Sequence, residues 1–301
     1  MTRKPILIFV SHGWGAPDTR VGEGPLVAFK ELEPFLVRHQ IPHHILNYHQ
    51  NGQHPVYKKI PSDQLDFHHQ QVALMMMELA NLVCHVCQSG FFPIVIGGDH
   101  SIAMGTWSGI RLSQPNRDFG LLWLDAHMDA HNFDSTSTGA PHGMPIGTLL
   151  GYGYESWSNL GGILPKLHPH QLVQIGIRSF EASEAHLLKE QHVRIYYEND
   201  VAHYGFDKIF DDAKTHITQT TPFFGISIDL DGFDPVFAPG TGIWEPKGLN
   251  PHDVLPHIQN LIKNPNCLGF EIAEFNASRD STDQRTLKLV CDMVMAATNL
   301  T

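Results

Sequence analysis

Eight short runs of apolar, strand-favouring residues punctuate this chain, at 5–10, 42–47, 91–97, 119–125, 172–178, 193–197, 222–230 and 267–274. Between most of them lie longer stretches with helical spacing, near 25–39, 62–88, 101–112, 181–190, 206–217, 251–263 and 282–298. Strand–helix alternation of this kind predicts an α/β fold: a mainly parallel, about eight-stranded sheet with helices on both faces, a three-layer αβα sandwich. The runs that precede the polar motifs are nearly continuous in apolar residues, as strands covered on both faces should be. Ser62, just after Pro61, reads as the N-cap of the second helix, and Gly90 as its stop. With 301 residues, 42% of them hydrophobic, the chain has material for a large core. No repeat, low-complexity tract or Pro/Ser linker divides it, so residues 1–301 read as a single domain.

Three polar motifs fall at or just beyond the ends of predicted strands, where open α/β sheets place ligands. They are Gly97-Gly98-Asp99-His100, Asp125-Ala126-His127-Met128-Asp129 and Asp229-Leu230-Asp231-Gly232-Phe233-Asp234-Pro235. If residues 125–129 are extended, Asp125, His127 and Asp129 point to one side, and Asp229 and Asp231 repeat the pattern. His100 brings the ligand candidates to six, more than one ion needs. Burying several carboxylates together without a cation is strongly unfavourable. The set therefore predicts two metal ions. Histidine and carboxylate donors without thiolate suit Mn²⁺, with Co²⁺, Fe²⁺ or Zn²⁺ as alternatives. Two ions about 3.5–4 Å apart can deprotonate a shared water near neutral pH.

The rest of the composition excludes classes. A net charge of −11 and the lack of any basic block argue against a nucleic-acid surface. No run approaches the length of a membrane span, and Ile6–Val10 is too short for a signal-peptide core. Four cysteines in so long a chain point to reduced thiols and a cytoplasmic protein. Cys84 and Cys87, at helical spacing and without a second pair, read as ordinary half-buried residues. Most of the 21 histidines read as surface or loop residues.

The motifs Gly-Gly-Asp-His-Ser at 97–101, Asp-Ala-His-x-Asp at 125–129 and Ser-Ile-Asp-Leu-Asp-Gly-Phe-Asp-Pro at 227–235, in this order, resemble the signatures of the ureohydrolase family of arginases and agmatinases. The Gly-rich residues 13–25, Pro239-Gly240-Thr241-Gly242 and Glu274 in Ile-Ala-Glu-Phe-Asn extend the resemblance along nearly the whole chain. It implies an arginase-like fold, two Mn²⁺ and a homo-oligomer, trimeric or hexameric. His100, Asp125, Asp129 and Asp231 would serve one ion. Asp125, His127, Asp229 and Asp231 would complete the pair, with Asp125 and Asp229 bridging. Asp129 would also hydrogen-bond the attacking hydroxide. Glu274 would pair with the substrate guanidinium, and His142 would pass a proton to the leaving amine.

The substrate is less constrained. The loop ending in His142 has an arginase-like length, and L-arginine is the substrate it implies first. Arginases usually carry Asn, Ser and Asn where this chain has His131, Thr138 and Ala140. Ala140 cannot hydrogen-bond through its side chain. Glu181 stands where arginases usually place an Asp near the α-amino group. Residues 241–246, Thr-Gly-Ile-Trp-Glu-Pro, replace the common Thr-Gly-Thr-Pro, and Trp244 either closes the pocket mouth or packs in its loop. Agmatine, a guanidino acid or formiminoglutamate are the alternative substrates. A single-zinc deacetylase on a related scaffold and a non-catalytic family member are the competing classes.

Overall fold

The computed structural model describes residues 3–49, 54–259 and 261–300. Its strands are β1 (Lys4–Ser11), β2 (His43–Asn47), β3 (Phe91–Gly97), β4 (Gly120–Leu124), β5 (Leu172–Ile177), β6 (Arg194–Tyr197), β7 (Phe224–Asp229) and β8 (Cys267–Ala273). They form one sheet in the order β2-β1-β3-β8-β7-β4-β5-β6, and every adjacent pair is parallel. The helices are α1 (Gly24–His39), α2 (Leu65–Gln88), α3 (Ile102–Ser113), α4 (Pro145–Leu149), α5 (Glu155–Ser158), α6 (Ala182–Glu190), α7 (Glu198–Tyr204), α8 (Phe206–Ile217), α9 (Pro251–Ile258) and α10 (Arg285–Thr298).

Alternation along each strand sorts its side chains between two cores. In β1, Leu7 and Phe9 enter the core shared with Leu32 of α1, Phe210 of α8, Val254 of α9 and Val290 of α10. Ile6, Ile8 and Val10 enter the opposite core, with Met75 of α2, Trp107 of α3 and Leu188 of α6. The result is the three-layer α/β sandwich that the strand–helix alternation predicts. Gly225 of β7 is a steric requirement: a methyl group there would lie 2.1 Å from the Trp107 ring.

The differences are local. α2 starts at Leu65 with Gln64 at its cap, so Ser62 is not the N-cap. The Gln64 amide instead closes a turn onto the Pro61 carbonyl at 2.9 Å. α9 stops at Ile258, and a 3-10 turn, Leu261–Lys263, follows; Asn260, inside the predicted helix, lies outside the described residues. The short helices α4, α5 and α7 have no counterpart among the predicted helices. No helix among the described residues is long and apolar enough to cross a membrane. The carboxyl ends of β3, β8, β7 and β4, four neighbours at the centre of the sheet, lead directly into the polar motifs.

Candidate functional site

The metal-ligand candidates converge, but not by strand alternation. β4 ends at Leu124, and residues 125–129 form bends, with Asp129 in the left-handed region at φ 49°. The Asp125 carboxylate turns the chain by accepting from the His127 amide at 2.6 Å. Asp229 closes β7 and caps a 3-10 turn, Leu230–Gly232, by accepting from the Asp231 amide at 2.8 Å. His100 follows β3 in the turn that starts α3. Its Nδ1 lies 3.3 Å from Asp125 Oδ2, 3.3 Å from Asp129 Oδ2 and 3.0 Å from Asp229 Oδ2. His127 Nδ1 lies 3.6 Å from Asp125 Oδ1 and 3.3 Å from Asp231 Oδ2. Two groups result, His100-Asp125-Asp129-Asp229 and Asp125-His127-Asp231, joined by the two oxygens of Asp125. Asp231 therefore stands with His127 rather than with His100, and Asp229 with His100 rather than with His127.

These six side chains fit a pair of cations. His100 Nδ1 and Asp231 Oδ1 are buried without a hydrogen-bond partner. Burial would keep His100 neutral, yet Asp125, Asp129 and Asp229 raise its pKa well above the ordinary range. Burial likewise opposes the charge on His127, and Asp231 and Asp125 outweigh it. Burial and then the charges of Asp231 and Asp125 push Asp229 well above the carboxylate range. Burial and the charge of Asp125 raise Asp129 to about 7. Divalent ions held by these side chains would relieve the same repulsion.

Three supporting residues escaped the sequence reading. Trp123 stacks on His100, ring centroids 4.0 Å apart, and donates its indole N–H to Asp125 Oδ2 at 2.8 Å. Ser227 lies 2.9 Å from His100 Nε2 and donates to Glu271 Oε1 at 2.7 Å. Glu271, fully buried, also accepts from Trp107 Nε1 at 3.1 Å. A signal for two of them existed: Trp123 precedes Asp125, and Ser227 precedes Asp229, by two residues, so each shares a sheet face with its ligand.

Glu274 follows β8 directly, also at left-handed φ, 66°. Its Oε1 accepts from the His100 amide at 2.9 Å and lies 3.2 Å from His142 Nδ1. The His142 amide donates to the Gly15 carbonyl at 3.0 Å, and the Gly15 amide to Asp99 Oδ2 at 2.9 Å. The Gly-rich segment therefore ties the His142 loop to the turn that carries His100. A methyl group on Gly15 would meet Asp99 Oδ1 at 2.0 Å. Burial disfavours the imidazolium of His142, but Glu274, Asp129 and Asp99 raise its pKa to about 9.

A cavity of about 300 Å³ opens over these groups, and His131, Thr138 and Glu181 all line it. His131 Nε2 lies 3.4 Å from Glu184 Oε2 and 3.7 Å from Glu181 Oε1. The Thr138 hydroxyl accepts from the Ala140 amide at 3.2 Å, and Glu181 accepts from Ser137 Oγ at 2.9 Å. Trp244 is 59% exposed, donates its indole N–H to the Pro239 carbonyl at 2.7 Å and does not line this cavity. All four cysteines are free thiols, and none joins a ligand group among the described residues.

A parallel α/β sandwich with two carboxylate–histidine groups sharing one aspartate defines a class of protein whose site could hold a pair of metal ions. The sequence profile of the Arginase family matches residues 23–299. The chain belongs to that family. It is 37% identical to an arginase of Bacillus caldovelox over 165 residues, 55% of this chain and 54% of the relative. It is 31% identical to an arginase of Saccharomyces cerevisiae over 226 residues, 72% of this chain and 67% of the relative. The matched stretch thus spans about half the length of the bacterial relative. Over the whole fold, the structure matches arginase from Bacillus subtilis with a TM-score of 0.84 at 28% identity, covering 99% of both chains. An agmatine ureohydrolase of Thermoplasma volcanium shares the fold, with a TM-score of 0.70 at 21% identity, covering 99% of this chain and 89% of that one.

Proposed function

We propose that this protein hydrolyses a guanidino C–N bond with the help of two divalent ions, Mn²⁺ by the chemistry of the donor set, and releases urea. L-Arginine, giving L-ornithine and urea, is the first reaction to expect. The observation that supports this reading most is the meeting, in one cavity, of the two ligand groups with Glu274 and His142.

His100, Asp125, Asp129 and Asp229 would hold one ion, and Asp125, His127 and Asp231 the other. When bound, such a pair supplies hydroxide at neutral pH from a shared water. Glu274 accepts hydrogen bonds from the planar guanidinium and orients its carbon. Asp129, on the cavity wall, accepts a hydrogen bond from the attacking oxygen. His142 holds a proton at neutral pH, with Nδ1 facing Glu274, and gives a proton to the departing amine as the C–N bond breaks.

Agmatine is the second reading. The cavity is lined by seven carboxylates and by no Lys or Arg among the described residues, and Ala140 offers no side-chain donor to a substrate carboxylate. The test is a urea-release screen with Mn²⁺ over L-arginine, agmatine, 4-guanidinobutanoate and 3-guanidinopropanoate, beside a formamide assay with formiminoglutamate. Absence of urea from every guanidine rejects the proposed function.

A further inference from the structure

The segment Ile243-Trp244-Glu245-Pro246 brings a further carboxylate, that of Glu245, to the cavity. Ile243 and Glu245 line the cavity, whereas Trp244, between them, is exposed and does not. Arg178 holds the segment in place. Its Nη2 donates to the Glu245 carbonyl at 2.7 Å and to the Asp231 carbonyl at 2.7 Å, and its Nε to the Pro246 carbonyl at 3.1 Å. One guanidinium thus fixes the backbone of Glu245 relative to that of a metal-ligand candidate.

A charge count identifies what Glu245 is for. Two divalent ions offset Asp125, Asp129, Asp229 and Asp231, and a bound guanidinium offsets Glu274. Glu184 is committed to the protein: it accepts from the amides of Ala130 and Glu181. Glu181, which accepts from Ser137 Oγ at 2.9 Å and keeps half its side chain exposed, and Glu245 remain as carboxylates at the cavity wall. The ion-pair neighbour of Glu245 within 4.0 Å is His127 Nε2, at 4.0 Å, beyond hydrogen-bond reach. A second cavity, of about 520 Å³, shares Thr138, His142, Ile243 and Glu274 and is lined also by Lys58 and Arg279. Arg279 is already engaged there, by the Thr241 carbonyl at 3.3 Å and Asp18 at 3.7 Å.

We propose that Glu245 is a specificity-determining residue, which together with Glu181 selects guanidines whose far end carries an ammonium over those whose far end carries only a carboxylate. This rests on the reading of the site as a guanidine hydrolase. It predicts that L-arginine and agmatine outcompete 4-guanidinobutanoate.

The test compares the Mn²⁺-loaded parent with Glu245→Gln and Glu245→Asp. In Glu245→Gln, KM for agmatine rises about five- to tenfold, more than kcat falls, while KM for 4-guanidinobutanoate is unchanged or lower. Glu245→Asp recovers part of the loss. Calorimetry with 1,4-diaminobutane and 4-aminobutanoate reads the same selectivity without turnover: the diamine weakens by the same factor and the amino acid does not. Equal KM changes for all substrates, or a fall in bound Mn²⁺, would overturn the proposal by making Glu245 a support for His127. A parental preference for 4-guanidinobutanoate would overturn it too, and would send the far end of the substrate towards Lys58 and Arg279. If the parent releases no urea yet the diamine pattern holds, the hydrolytic reading fails and the ammonium selectivity stands. If urea is released and diamine binding ignores residue 245, the selectivity fails alone.

Discussion

Loading the metal-free protein with Mn²⁺ will release protons, and the ligand groups set how many. Ions bind neutral imidazole nitrogens and ionised carboxylates. In the metal-free cluster, the surrounding carboxylates raise the pKa values of His100 and His127 well above the ordinary range, and burial with like charges raises that of Asp229. Asp129, at about 7, is half protonated at neutral pH. Because these groups titrate as one coupled set, on the order of two to three protons per chain should leave at pH 7. The combined affinity for two ions should then rise about a hundred- to a thousandfold per pH unit around neutrality, roughly 3–4 kcal/mol. The sign follows from the direction of the shifts. Each of these pKa values is raised, so the metal-free fold keeps its stabilising protons at low pH and loses them as pH rises. The loaded fold needs them gone. The gap in thermal midpoint between loaded and metal-free protein should therefore widen from pH 6 to pH 8. Isothermal calorimetry in buffers of different ionisation enthalpy measures the proton count directly. A count near zero, or an affinity that falls as pH rises, would refute the reasoning.

Three other perturbations test separate parts of the structure. His142→Asn should lower kcat by about a hundredfold or more, with a smaller change in KM, in initial-rate urea assays. Glu271→Gln should weaken Mn²⁺ binding by about 10- to 100-fold in direct titration, because Ser227 then no longer connects the imidazole of His100 to a carboxylate; excess Mn²⁺ should restore activity. Gly225→Ala forces a methyl group into the Trp107 ring and should cost about 1–3 kcal/mol, seen as a lower thermal midpoint without loss of metal stoichiometry.

Much of this architecture was legible in the sequence because burial on both faces leaves a clear mark. The apolar runs located the six inner strands, the edge strands β2 and β6 showed only as shorter β-favouring runs, and the alternation of strands and helices located the layers. The site residues were legible as residue types at strand ends. Their geometry was not, because it depends on turns that no periodicity encodes. Asp125 and Asp229 bend the chain by capping amides two residues on, so the ligands meet across turns rather than along extended strands. The pairing of Asp231 with His127 depends on that 3-10 turn. The supporting row from Ser227 to Glu271 depends on the pairing of β7 with β8, residues 44 apart in the chain. Glu245 was not singled out in the sequence, because its place on the cavity wall is set by a segment without regular secondary structure.

The left-handed backbones of Asp129 and Glu274 have a consequence for any attempt to harden this protein. A bulky side chain in that region costs about 1 kcal/mol or more compared with glycine, and both residues also crowd negative charge into a buried space. A library screened for thermal survival alone, without metal or substrate, should enrich glycine or asparagine at positions 129 and 274. The winners would be sturdier and inert. Selection has to include turnover in every round, since at these two positions durability and catalysis favour opposite residues.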